Sequence, residues 1–185
     1  MMARIGYVDD CIYTDILKAS QKANLLRAIF NAPIWAEAFV KIVGIQMCNL
    51  ALPAADRELV LLRMAQKHGA QYVWGMHEDL ARNAGLTEAQ IEALQNVKFP
   101  TDVFSDRQRS ILALVDAVGL TRVPEEAVLA VKRHLDDRQI VELLGVIGAA
   151  FTVACITVSL DVELDRLPPE ALASFVAAVQ QEPQE

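Results

Sequence analysis

The sequence predicts an all-α chain, and two observations carry that reading. Apolar residues recur at steps of three and four almost throughout, with no convincing period-two run to mark a strand. Helix punctuation falls at the edges of the same stretches: Ser, Thr or Asp followed three places later by Gln, proline at first turns and glycine at ends.

Thr14 or Asp15 can cap a first helix that runs to about Phe30, with Ile16, Leu17, Leu25, Leu26 and Ile29 on its apolar side. Asn31 and Pro33 suit the start of a second, ending near Leu50. Pro53 sets the first turn of a third, where Asp56 and Glu58 complement the helix dipole, and this helix continues to about His68. After a turn at Gly69 a fourth spans Gln71 to Ala84, with Gly85 as a left-handed cap. Thr87 to Gln90, TEAQ, opens a short fifth helix through Leu94, and Ser105 to Gln108, SDRQ, opens a sixth that ends at Gly119. Pro124 starts a seventh ending near His134, and Asp136 or Asp137 starts a long apolar eighth to about Leu160. Pro168 and Pro169 begin a terminal helix whose last residues fray. Leu86–Leu94 and Leu135–Leu143 share the pattern Leu, cap, two residues, Gln-Ile, two residues, Leu. The echo fits either a duplicated helical unit or two well-capped amphipathic helices.

A chain of 185 residues fits a single domain, 1–185, long enough to bury about two-thirds of its unfolded surface without disulfides or metals. At 54% apolar and 22% charged it carries more core than a small monomer needs, so a helix face buried against another subunit is expected. The formal charge of −7, with no Lys or Arg cluster, argues against a nucleic-acid partner. Cys11, Cys48 and Cys155 are widely spaced in apolar surroundings and read as packed free thiols of a reducing cytosol. The opening MMARIGYVDD does not read as a secretory signal, so a cytoplasmic location is expected. Leu143 to Leu160 is eighteen residues without a charge, the lower limit for a membrane span. Its acidic flanks, Glu142, Asp161, Glu163 and Asp165, and its Gly145, Gly148, Thr152, Thr157 and Ser159 favour a buried central or intersubunit helix, with no membrane partner.

The chemistry concentrates between Glu58 and His77. His68 and His134 fall at helix C-terminal ends, where an imidazole meets exposed carbonyls, and read as solvent-facing caps. His77 instead shares a helical stripe with Ala70, Val73, Trp74, Leu80, Ala81 and Ala84 and faces the core. Glu58 has Ala54, Ala55, Leu61 and Leu62 at steps of three and four, so its carboxylate also faces inward and needs a partner. If the two helices fold as an antiparallel hairpin about Gly69 and Ala70, position 77 falls opposite 62. Glu58 is then about four residues away, roughly 6 Å along the axis, a gap the two side chains or one water can close. Such a pair can share and move a proton near neutrality. No HExxH, GxGxxG, GxxxxGK or GxSxG motif is present, so neither a metal nor a cofactor is expected. Tyr72 and Trp74 can line a pocket for a flat or unsaturated ligand, or simply pack.

The run RELVLLRMAQKHGAQYVWGMHEDLARNAGLTEAQIEAL resembles the core signature of the carboxymuconolactone decarboxylase family, whose all-helical fold is shared with the AhpD-like alkylhydroperoxidases. The looser resemblance runs from about Ala32 and Pro33 to Leu160. It implies a core of about 31–160 with peripheral terminal helices, a bundle of eight or nine helices, and a homo-oligomer, a trimer or hexamer. The family pattern is a glutamate, eleven residues, a Cys-x-x-Cys pair or its replacement, three residues and a histidine. Glu58 and His77 take its outer positions, while Ala70 and Val73 replace both cysteines, leaving thiol peroxidase chemistry without a nucleophile. Non-redox members commonly read Tyr-Glu-Trp-x-x-His; Tyr72, Trp74 and His77 match, and Val73 replaces the glutamate. Phe151 stands where the resemblance implies a frequent tyrosine.

Two functions follow as expectations. One is a cofactor-free enzyme acting on a small carboxylated or lactone-type substrate by decarboxylation or a related elimination, cyclisation or isomerisation. His77 is then the general acid or base and Glu58 orients or charges it, with Tyr72, Val73, Trp74 and Phe151 lining the substrate pocket. The other is a non-catalytic ligand-binding or structural oligomer in which Glu58 and His77 are a structural pair.

Overall fold

The computed structural model describes residues 3–17, 23–98, 100–118 and 123–165. Among them are nine helices and no strand: α1 Asp10–Leu17, α2 Asn24–Ile29, α3 Pro33–Cys48, α4 Ala54–His68, α5 Gln71–Asn83, α6 Glu88–Leu94, α7 Asp106–Ala117, α8 Glu125–Lys132 and α9 Asp137–Leu160. The all-α class stands as predicted, with one change at the beginning. The Asp9 carboxylate accepts from the Cys11 amide at 3.1 Å, so α1 starts several residues before Thr14 and Asp15. Ala23 is extended, with φ −126° and ψ 131°, and the predicted first helix resolves into α1 and α2. The terminal helix expected at Pro168 and Pro169 lies outside the described residues.

The helix boundaries follow from local hydrogen bonding. Thr87 and Ser105 each accept from the amide three residues on, and Gln90 and Gln108 reach back to the cap amides, giving complete capping boxes on α6 and α7. Asp136 and Gln139 make the same reciprocal pair at the start of α9, at 2.8 and 3.2 Å. The Leu86 and Leu135 echo therefore has a physical cause. Each leucine precedes a cap, each is buried, and Ile91 and Ile140 occupy the buried positions five residues on. At the end of α4, Gly69 takes φ +65° while the Ala70 amide bonds back to the Ala65 carbonyl at 2.8 Å. Gly85, at φ +103°, closes α5 the same way.

Contacts group the described residues into two compact units, one of those before Ala51 together with those from Ser159 on, the other Ala51–Val158. In the first, α1, α2 and α3 pack on one another. Tyr13 is fully buried there, donates to Asp10 at 2.7 Å and lies 5.7 Å from the Phe30 ring.

In the second unit α4 takes the centre, packed on α5, α6 and α7, while α8 packs on α7. Every residue of α4 from Glu58 to Ala65 is buried, including two charges. This is tolerated because each polar group on the helix has a partner. Asp56 accepts from Arg107 at 2.7 and 2.9 Å, and Arg63 grips Asp116 with two bonds of 2.8 and 2.9 Å. Lys67 donates to the carbonyls of Val115, Asp116 and Val118 at the end of α7. The central place is thus held by α4 rather than by the apolar α9. Ile140, Leu143, Val146, Ile147, Ala150, Ala154 and Thr157 bury one side of α9. Only 33% of its most apolar window is buried, and by length and composition the helix could cross a membrane.

The three thiols are free, but Cys11 and Cys155 are exposed rather than packed as the sequence suggested. Apolar sequence neighbours did not enclose them because each lies on the outer side of its helix. A hydrogen bond to Asp9 raises the Cys11 thiol above its ordinary value, away from the thiolate.

Candidate active site

Helices α4 and α5 form the antiparallel hairpin that the Gly69 turn requires, and the hairpin brings Glu58 and His77 into contact. The His77 Nδ1 lies 2.8 Å from Glu58 Oε2, closing the axial gap directly. Glu58 is fully buried, whereas the His77 side chain keeps 19% of its surface. The histidine is therefore reachable from solvent and its partner is not.

A third group completes the arrangement. Arg57 donates from Nε to Glu58 Oε1 at 2.9 Å, and its Nη2 lies 2.9 Å from the same oxygen. Both carboxylate oxygens are thus occupied, one by each neighbour. Burial pushes the Glu58 carboxyl upward, but the charges and hydrogen bonds of His77 and then Arg57 outweigh it and hold the group below its ordinary value. A carboxylate can only accept, so the hydrogen on His77 Nδ1 points at Glu58 and Nε2 faces away from it. Sequence reasoning missed Arg57. The available signal was its position beside an inward-facing acid, where a long cation can fold back onto the buried charge.

The other expected site residues are placed differently. Ala70 and Val73, at the positions where the family pattern can carry cysteines, join Ala65 and Ala154 in a buried apolar cluster, with Trp74 and Val153 packed on its edge. Tyr72 is buried. The Trp74 indole is half-buried and donates to Glu78 at 3.0 Å. A depression of about 360 Å³ opens beside it between Ala65, Gln66, Gly69, Gln71 and Gln95, and neither Glu58 nor His77 lines it. Phe151 lies on the exposed side of α9, edge-on to His68 with ring centroids 5.0 Å apart. Its contact is with His68 rather than with the Glu58–His77 pair. That contact also leaves His68 half-buried, and burial, then Lys67, lowers its imidazole below the ordinary value. His134 is exposed, as expected of a helix-end histidine.

No group of three or more His, Cys, Asp or Glu that could hold a metal occurs among the described residues. What the site offers is an imidazole on a partly exposed side chain, with one ring nitrogen on a buried anion and the other not engaged by it, an arrangement suited to taking or giving a proton.

The fold and site define an all-helical, AhpD-like protein with a carboxylate–histidine pair on its central hairpin. Residues 33–117 match the carboxymuconolactone decarboxylase family, so the chain carries that family's AhpD-like fold. Glu58 and His77 lie within the matched segment, and Phe151 lies outside it. The uncharacterized protein YdfG of Bacillus subtilis (strain 168) is 33% identical over 95 residues, 50% of this chain, and the chain spans 64% of that relative's length. An uncharacterized peroxidase-related protein from Ralstonia eutropha JMP134, with an alkylhydroperoxidase AhpD core, superposes with a TM-score of 0.73 at 16% identity, over 95% of this chain and 97% of that one. The debrominase Bmp8 superposes with a TM-score of 0.72 at 11% identity, over 95% and 97%. At these identities the solved structures bear on the fold alone.

Proposed function

We propose that the chain is a cofactor-independent acid–base enzyme acting on a small carboxylated or lactone-type substrate, with His77 as the group that exchanges the proton. The observation that carries this reading is the 2.8 Å contact from His77 Nδ1 to a fully buried Glu58, which leaves Nε2 unengaged by the carboxylate on a partly exposed side chain. Decarboxylation is the reaction the family name suggests. In it the bond to the carboxylate carbon breaks, carbon dioxide leaves, and the electron pair passes into a lactone or keto group as an enolate. An imidazolium Nε2–H then protonates the carbanion carbon, and His77 recovers its proton from water. Elimination or isomerisation would use the same nitrogen as base. The debrominase Bmp8 has been crystallised with 2,3,4-tribromopyrrole, which adds pyrroles to the compounds worth testing.

The test is a panel of carboxylated lactones, β-keto acids and carboxylated pyrroles assayed for carbon dioxide release. With a turned-over substrate, His77→Ala and Glu58→Gln should each lower kcat by about a hundredfold or more. Unchanged turnover in both variants would sink the assignment.

A non-catalytic role for the pair is favoured by Val73, which is 3% exposed where non-redox relatives commonly carry an acid. A pair kept only for structure would lose stability on substitution and show no turnover with any of the panel.

Self-association completes the proposal. The outer side of α9 presents Val141, Leu144, Gly148, Phe151, Cys155 and Val158, all exposed, at steps of three, four, three, four and three. That is the seam two helices need to pack along one another, and a second copy supplies the matching helix. A cytoplasmic location is proposed with it.

A further inference from the structure

We infer that Arg57 is a positioning residue of this site, holding Glu58 as an anion so that His77 keeps its proton on Nδ1 and its Nε2 clear of the carboxylate. The inference rests on the acid–base reading above and adds the group that makes the pair usable. Consider the two-residue pair first. With only His77 beside it, a fully buried Glu58 carboxylate is a lone anion whenever the imidazole is neutral. Low dielectric penalises that state, so the pair would draw a proton and keep it. The imidazole would then be held as the partner of an ion pair, or the carboxyl would take the proton and become a donor toward Nδ1. The first holds the imidazolium proton against transfer, and the second moves the proton of the neutral ring to Nε2.

Arg57 removes both difficulties. Its Nε and Nη2 lie 2.9 Å from Oε1, leaving Oε2 to the imidazole at 2.8 Å, and its side chain is 12% exposed. Arginine is charged at every accessible pH, so Arg57 keeps a cation on one oxygen of Glu58. The carboxylate then stays compensated whether or not the imidazole beside its other oxygen carries a charge. The other charges on α4, α5 and α6 are engaged elsewhere or exposed. On α4, Asp56 is paired with Arg107, Arg63 with Asp116, and Lys67 with the α7 carbonyls. On α5, Glu78 and Asp79 are held by Arg82, which also takes Glu88 of α6, and Glu92 of α6 is exposed.

The test needs no substrate, so its failure is separable from failure of the enzymatic reading, which His77→Ala turnover decides. In the natural chain, imidazole nitrogen NMR should show the neutral ring of His77 protonated on Nδ1, and carboxyl-carbon NMR should follow Glu58 through acid titration. Arg57→Gln should raise the Glu58 midpoint by about one unit or more. Arg57→Lys, which keeps the charge but not the fork, should bring it back toward the natural value. The inference is overturned by an Nε2-protonated neutral ring in the natural chain. It is equally overturned by a folded Arg57→Gln whose Glu58 midpoint has not moved, or by a lysine variant whose midpoint is as high as that of the glutamine variant. Should Arg57→Gln fail to fold, Arg57→Met takes its place in the comparison with the lysine variant, and the natural-chain tautomer is read as before. A side chain that only filled space would move neither readout.

Discussion

At Glu58 the cost of burial and the reward of pairing meet in one residue. Its carboxylate is fully enclosed and bound on both oxygens, so deleting it leaves Arg57 and His77 facing a gap. Glu58→Ala should therefore destabilise by about 3–5 kcal/mol in urea unfolding near pH 7, well beyond a typical surface change. The pH dependence follows from the same contacts. Because the folded carboxyl releases its proton more readily than the ordinary value of 4.5, its contribution is complete above that value and is lost as pH falls through the folded midpoint. Urea midpoints measured from pH 6 to pH 3 should fall more steeply for the natural chain than for Glu58→Gln. Parallel curves would mean that the carboxylate adds nothing to acid sensitivity.

Among the helices, the hairpin α4–α5 sets the site, and the turn between them sets the hairpin. Gly69 stands at φ +65° with open space where a Cβ would go, so Gly69→Ala meets no clash and its cost is conformational, about 1–2 kcal/mol. A larger loss in thermal unfolding would show that the turn carries packing as well. The capping boxes hold α6 and α7 at their starts, and Thr87→Ala and Ser105→Ala should each lose about 1 kcal/mol in urea unfolding. Gln90 ties the two helices together, since its Nε2 also reaches the Val103 carbonyl and Gln108 at 3.0 and 3.1 Å. The two substitutions share that network and should not be additive.

For the whole molecule the question is what the outer face of α9 meets. Val141, Leu144, Phe151 and Val158 are exposed on it. If a second copy covers them, Leu144→Glu with Val158→Glu should reduce the mass seen by light scattering to that of one chain without unfolding it. A natural chain that is already monomeric at micromolar concentration would count against the self-association proposed above. Legible from residue order were the all-α class, most helix boundaries from Pro33 to Leu160, and the inward phase of Glu58 and His77. These are local properties: a period of 3.6 residues, a cap and a glycine leave marks within a few positions. Residue order misplaced the start of α1, because several acids near the beginning could each cap a helix and only the Asp9 bond to Cys11 chose among them. Packing between distant helices made α4 central in its unit rather than the more apolar α9 and brought Phe151 to His68, while burial of Glu58 drew Arg57 back onto it. Composition scores a helix by how much apolar surface it has. Which helix is enclosed depends on which one can satisfy every charge it buries, and that depends on partners as distant in sequence as Asp116 and Arg107.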